Sequence, residues 1–178
     1  LKKDIRSYDG STALGVRRTN KTSKEITMFD LSDLKGIILL SHLTDPMLKK
    51  IQTITNVRDY VAGEYVYKAG EYAEHLFAVV DGRVGLELEK TASNLVRITE
   101  ITRGMTFGLP SLVDMERKRY LIYAKVLVNT KVFAWRGADL EKLFFEDFEM
   151  GFYFMRRIAK ILNTRLETTY AQIAEICK

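Results

Sequence analysis

Apolar and polar positions follow three successive rhythms along this chain. From Met28 to Ile54 the stretch MFDLSDLKGIILLSHLTDPMLKKIQTI sets small apolar clusters at helical spacing. Pro46 suits the opening of a helix, where its missing N–H would have had no partner, and Asp45 is the expected cap. Leu48, Ile51 and Ile54 then share one face. From Val57 to Trp135 the rhythm shortens to that of strands, most clearly in VRDYVAGEYVYKAGEYAEHLFAVVDGRVGLELEK. Glycine marks the corners at Gly63, Gly70 and Gly82, where it reaches positive φ without a Cβ clash. LVRITEI, RYLIYAKVLVN and KVFAWRG follow as further strands, and so many short antiparallel strands with tight corners predict a closed roll or barrel.

From Asp147 the helical rhythm returns and runs nearly to the end, with no proline and only Gly151 inside it. One heptad position carries Phe152, Ala159, Leu166 and Ile173, and its partner carries Met155, Leu162, Thr169 and Ile176. A second stripe, Phe154, Ile158 and Ile161, lies on another face. One stripe is expected to pack on the roll and the heptad seam to meet a second copy, giving a homodimer. The expected class is α+β: an antiparallel, jelly-roll-like β-roll, flanked by short N-terminal helices and a long C-terminal dimerisation helix. Its expected segments are a basic flexible arm at 1–28, the roll with its flanking helices at 29–146, and the dimerisation helix at 147–178.

Composition narrows the chemistry. The 178 residues, 47% hydrophobic, suffice for one good core. Of the net charge of +5, residues 1–25 hold +4, as seven Lys or Arg against Asp4, Asp9 and Glu25, so the remainder nets +1. The arm therefore reads as a solvated tail, and no nucleic-acid binding is assigned to the visible chain. The single cysteine, Cys177, excludes an intramolecular disulfide, His42 and His75 stand apart, and no Cys/His cluster has metal-ligand spacing. The longest aliphatic run, Ile37 to Leu40, is far below the ~20 residues a membrane span needs, and the cytoplasm is the expected compartment. Phosphate-loop, dinucleotide and nucleophile-elbow motifs are missing, so no enzyme is expected and no cofactor is assigned.

The spaced residues Gly70-Glu71, Ala73-Glu74, Leu76-Phe77, Val80 and Gly82, then Gly104 and Phe107-Gly108, then Arg165-Leu166-Glu167-Thr168-Thr169, carry a resemblance. From about Phe29 to Ile173 the chain resembles the cyclic-nucleotide-binding domain family, especially bacterial regulators of the catabolite-activator type. The resemblance implies a ligand-sensing regulatory module in which the segment after Phe107 is a phosphate-binding cassette. There Gly108 would let the backbone approach the ligand, Pro110 would open a helical turn, and the N–H groups of Ser111 and Leu112 would remain as donors. In such a cassette a glutamate holds the ribose hydroxyl and an arginine pairs with the phosphate.

The side chains depart from that pattern. Leu109 stands where the glutamate belongs and can accept no hydrogen bond. For the arginine three registers stay open: Tyr120 by ungapped counting from KVFAW, with Ile122, Ala124, Val126 and Val128 on the same strand face, or Arg119 or Lys118 after one or two insertions. In Arg117, Lys118 and Arg119 the basic run also reads as a solvated hairpin rim. Thr169 matches a helix position that contacts the base in activator-type proteins, yet a threonine there equally bonds its own helix backbone. Tyr170 beside it would cap the pocket or pack on the roll. The reading is a regulatory module whose cyclic AMP or cyclic GMP binding is weak or lost. Its rivals are a ligand-free dimerisation scaffold and the sensor half of a transcription regulator.

Overall fold

The computed structural model describes residues 29–91, 94–113, 116 and 118–176. The basic arm, Arg117 and Cys177 lie outside these residues. Two short helices, α1 (Leu31–Lys35) and α2 (Asp45–Thr53), flank a 3-10 turn at Ile38–Leu40. Eight strands follow: β1 (Asn56–Tyr60), β2 (Tyr65–Tyr67), β3 (His75–Asp81), β4 (Val84–Thr91), β5 (Asn94–Ile101), β6 (Thr106–Phe107), β7 (Tyr123–Val126) and β8 (Thr130–Arg136). A second 3-10 turn, Leu109–Leu112, separates β6 from β7, and helices α3 (Gly137–Glu146) and α4 (Phe148–Ile176) complete the order.

The strands form two antiparallel sheets, in the orders β1-β8-β3-β6 and β2-β7-β4-β5. This is the α+β roll with a long final helix that the apolar pattern predicts. Alternation along β3 and β8 explains the layering. Phe77 and Val79, with Val132 and Ala134, face the second sheet and meet Tyr67, Val84, Leu86, Phe107 and Ala124 inside the roll. Leu76 and Ala78, with Phe133 and Trp135, face the helices and meet Leu34, Leu40, Leu48, Ile51, Met150, Phe154 and Ile158. Both faces of β3 are thus buried, which is why HLFAVV reads as a nearly continuous apolar run. Trp135, fully buried, satisfies its indole N–H at Thr55 Oγ1, 2.7 Å away.

Three local expectations change. Asp45 is the first residue of α2, and Thr44 holds the cap position; the Asp45 carboxylate instead meets Lys35 Nζ at 2.8 Å. The final helix does not begin unannounced, because α3 precedes it and Asp147 forms the corner. Its Oδ1 accepts the N–H of Met150 at 3.0 Å, its carbonyl accepts that of Gly151 at 3.0 Å, and its Oδ2 meets Lys50 Nζ at 2.6 Å. Gly151 is required by close approach: a Cβ there would stand 2.9 Å from Phe144 Cβ on α3. RYLIYAKVLVN yields only four residues of strand, Tyr123–Val126, although its inward alternation runs from Tyr120 to Val126.

Helix α4 carries its two stripes as separate faces. Phe154 and Ile158 are buried in the helix-side core, with Ile161 packed against it. Phe152, Met155, Leu162, Leu166 and Ile173 are exposed, Phe152 to 62% and Leu166 to 46%.

Candidate functional site

The cassette segment begins where β6 ends against β3. Gly108 has φ 82°, and a Cβ on it would stand 2.7 Å from the His75 carbonyl oxygen. Glycine is therefore demanded twice, by the left-handed backbone and by the closeness of β3. The following turn, Leu109–Leu112, is tight, and the N–H of Ser111 donates to Gly108 O at 3.1 Å. This corrects the expectation that Ser111 keeps its N–H as a donor for a ligand: the turn itself uses it. Ser111 is fully buried, its hydroxyl has no partner among the described residues, and its carbonyl lies under Gly137, where a Cβ would come within 2.2 Å. Leu109 points into the helix-side core, 6% exposed.

The three candidate registers occupy different surroundings. Tyr120 is 4% exposed and belongs to the interior of the roll. Its hydroxyl donates to the His75 carbonyl at 2.8 Å and stands 3.1 Å from the His75 N–H. The backbone clamps it too, with Tyr120 N donating to Glu71 O at 3.0 Å and Gly70 N donating to Tyr120 O at 2.8 Å. Arg119 is exposed and turns back to the rim, where its guanidinium donates to Gly70 O. Lys118 is half-buried, and its carbonyl accepts the N–H of Ala73 at 2.9 Å.

Three aromatic rings fill the space beside Tyr120. Tyr67 stacks on it with centroids 3.6 Å apart and planes 11° from parallel. Phe77 and Phe107 stack at 5.2 Å, and each lies 6.0 Å from Tyr67. Burial raises both phenols: Tyr120 is pushed up to about 12, and Tyr67 rises further above its ordinary value, with the negative Tyr120 phenolate a secondary cause. Sequence reasoning missed Tyr67, although in YVYKAG it shares the inward phase of its strand.

At the mouth, Arg58 Nη2 lies 2.9 Å from His75 Nε2. Burial first, and the Arg58 charge second, hold the His75 pKa below its ordinary value. Among the described residues there is no cluster of three or more His, Cys, Asp or Glu that would hold a metal ion. The helix residues are not brought to this cluster. Thr169 is exposed and donates to its own helix at Arg165 O, 2.9 Å away, while Tyr170 is 61% exposed. Instead Arg165, one turn earlier, reaches the roll and donates to the carbonyl of Thr106.

Comparison with known proteins places this architecture. The family model described as the cyclic nucleotide-binding domain matches residues 57–147. The cGMP-dependent protein kinase isozyme 1 of Drosophila melanogaster is 27% identical over 93 residues, which are 51% of this chain and 12% of the kinase. A solved structure from Geobacter metallireducens GS-15 superposes with a TM-score of 0.67 at 24% identity, covering 78% of this chain and 99% of that one. The catabolite activator protein of Thermus thermophilus gives 0.66 at 18% identity, covering 78% and 62%. At such identities the two structures speak for the fold. No helix among the described residues is long and apolar enough to cross a membrane. With more than half of its length matched by the family model, from β1 through β8 to the corner at Asp147, this chain belongs to the cyclic nucleotide-binding domain family.

Proposed function

We propose that this chain is a non-enzymatic, ligand-sensing regulatory module whose roll no longer takes cyclic AMP or cyclic GMP with useful affinity, and that it works as a homodimer through α4. One observation carries the reading. Tyr120 fills the interior beside the cassette glycine, bonded to both backbone groups of His75 and stacked on Tyr67. Leaving water costs a cyclic phosphate its hydration, so it needs a cation or several charge-assisted hydrogen bonds in return. Leu109 offers no acceptor to a ribose hydroxyl, Tyr120 offers no guanidinium, and Ser111 has already given its N–H to Gly108.

Losing the first two of these, the carboxylate and guanidinium contacts, at about 1.5–3 kcal/mol each, corresponds to roughly two to four powers of ten in affinity. The double change Leu109→Glu with Tyr120→Arg tests this. It removes the bonded ring and returns both missing groups, so cyclic-nucleotide binding measurable by fluorescence or calorimetry is expected from the variant. A folded variant with no gain over the unmodified chain would contradict the reading. The likeness to the Thermus thermophilus activator, of which this chain covers 62%, supports a second possibility, the sensor half of a transcription regulator. The domain division 1–28, 29–146 and 147–178 belongs to the same proposal.

A further inference from the structure

On the flank of α4, away from the cassette, a groove of about 230 Å³ opens between the helix and the roll. Ile38, Met105 and Ile161 give it apolar walls, and Arg157, Lys160 and Arg165 stand around it. Two of these cations are held by backbone carbonyls: Arg157 Nε donates to Ile38 O of the N-terminal 3-10 turn at 3.1 Å, and Arg165 donates to Thr106 O of β6. Among the described residues, no carboxylate lies within ion-pair distance of any of the three. Burial lowers the pKa of Arg165, the Tyr67 phenol being the one opposing influence on it. Thr106, also in the wall, has a buried hydroxyl with no partner among the described residues. The exposed lining of the hollow is almost wholly apolar, and the three cations border it without a counter-charge among the described residues, so an apolar body with an anionic end at that cationic edge is its complement.

Size narrows the class. The groove exceeds the roughly 150 Å³ cavity that admits benzene and falls below the ~300 Å³ at which sites for drug-sized ligands begin. We infer that this groove binds a small amphipathic carboxylate, of the size of a benzoate or a six-carbon acid, with the carboxylate on Arg165 and Lys160 and the apolar body against Met105 and Ile161. With 3.6 residues per turn, Arg157, Lys160, Ile161 and Thr164 lie across the helix from Met155, Leu162 and Leu166. Arg165 lies about a quarter turn from that stripe, on the side of the helix that meets the roll, so the remainder of the groove stays clear when the exposed stripe of α4 is covered. A ligand there would join the roll to the helix that carries that stripe. The assignment does not depend on the cassette reading, because no cassette residue lines the groove.

The test is a methyl-detected NMR titration of the full chain with benzoate, hexanoate and the neutral benzamide, followed at Ile38, Met105 and Ile161. Benzoate and hexanoate are expected to shift these methyls at millimolar concentration or below, and benzamide to bind at least about ten-fold more weakly. Arg165→Gln should weaken benzoate binding by about ten- to a hundred-fold. Lys160→Met, at an exposed position that holds no roll backbone, should weaken it about ten-fold without changing the fold. The assignment fails if benzoate leaves these methyls unmoved, if benzamide binds as well as benzoate, or if neither variant weakens binding. Cyclic AMP is added as a separate arm, so that its outcome bears on the cassette alone.

Discussion

Tyr120 is the residue on which the local physics converges. Its ring offers a large apolar face to Tyr67, and its hydroxyl answers two backbone groups of His75 that a phenylalanine would leave without that partner. Tyr120→Phe should therefore destabilise the fold by about 1–3 kcal/mol, read as a lower melting temperature. The phenol also sets a pH dependence. A tyrosine whose folded pKa is raised contributes stability that is full below the unfolded pKa near 10 and lost as pH rises toward about 12. Denaturant unfolding should accordingly show unchanged stability between about pH 7 and 9 and a decline above about pH 10, with the Tyr120→Phe chain declining less. Equal declines in both chains would mean that the buried phenol is not the titrating group.

At the scale of elements, α4 shows what apolar periodicity can and cannot reveal. The heptad spacing separates two stripes, and the structure puts Phe154 and Ile158 in the core while Met155, Leu162 and Leu166 face outward. Among the described residues nothing covers that second stripe, and the dimer proposed above predicts a concentration-dependent mass. Leu166→Asp should shift sedimentation at micromolar concentration to that of a monomer, since each buried leucine contributes about 1.5–3 kcal/mol. A monomeric unmodified chain would contradict the dimer. The α3–α4 corner was less legible, because its determinants are close contacts. Gly151 against Phe144 across the corner, and Gly137 at the start of α3 against the Ser111 carbonyl, are set by close approaches that apolar spacing does not encode.

For the molecule as a whole, the roll was readable because its glycines sit at corners: Gly63, Gly70, Gly82, Gly104 and Gly108 all adopt positive φ. The contents of the roll were only half readable. Leu109 stood out by its position directly after Phe107-Gly108, while Tyr120 was one of three registers, with Arg119 and Lys118, that the loop before β7 left open. The aromatic plug of Tyr67, Phe77 and Phe107 did not, because it assembles from three strands whose registers a single sequence leaves open. Arg165 escaped for a related reason. It marks the family resemblance in sequence, but its reach to Thr106 appears only once α4 lies across the roll. The central claim is that the roll has exchanged a charged ligand site for a packed aromatic interior. Calorimetric titration of the unmodified chain with cyclic AMP and cyclic GMP tests it most directly. The account predicts no saturable heat at micromolar nucleotide; a dissociation constant in the micromolar range or tighter would contradict it.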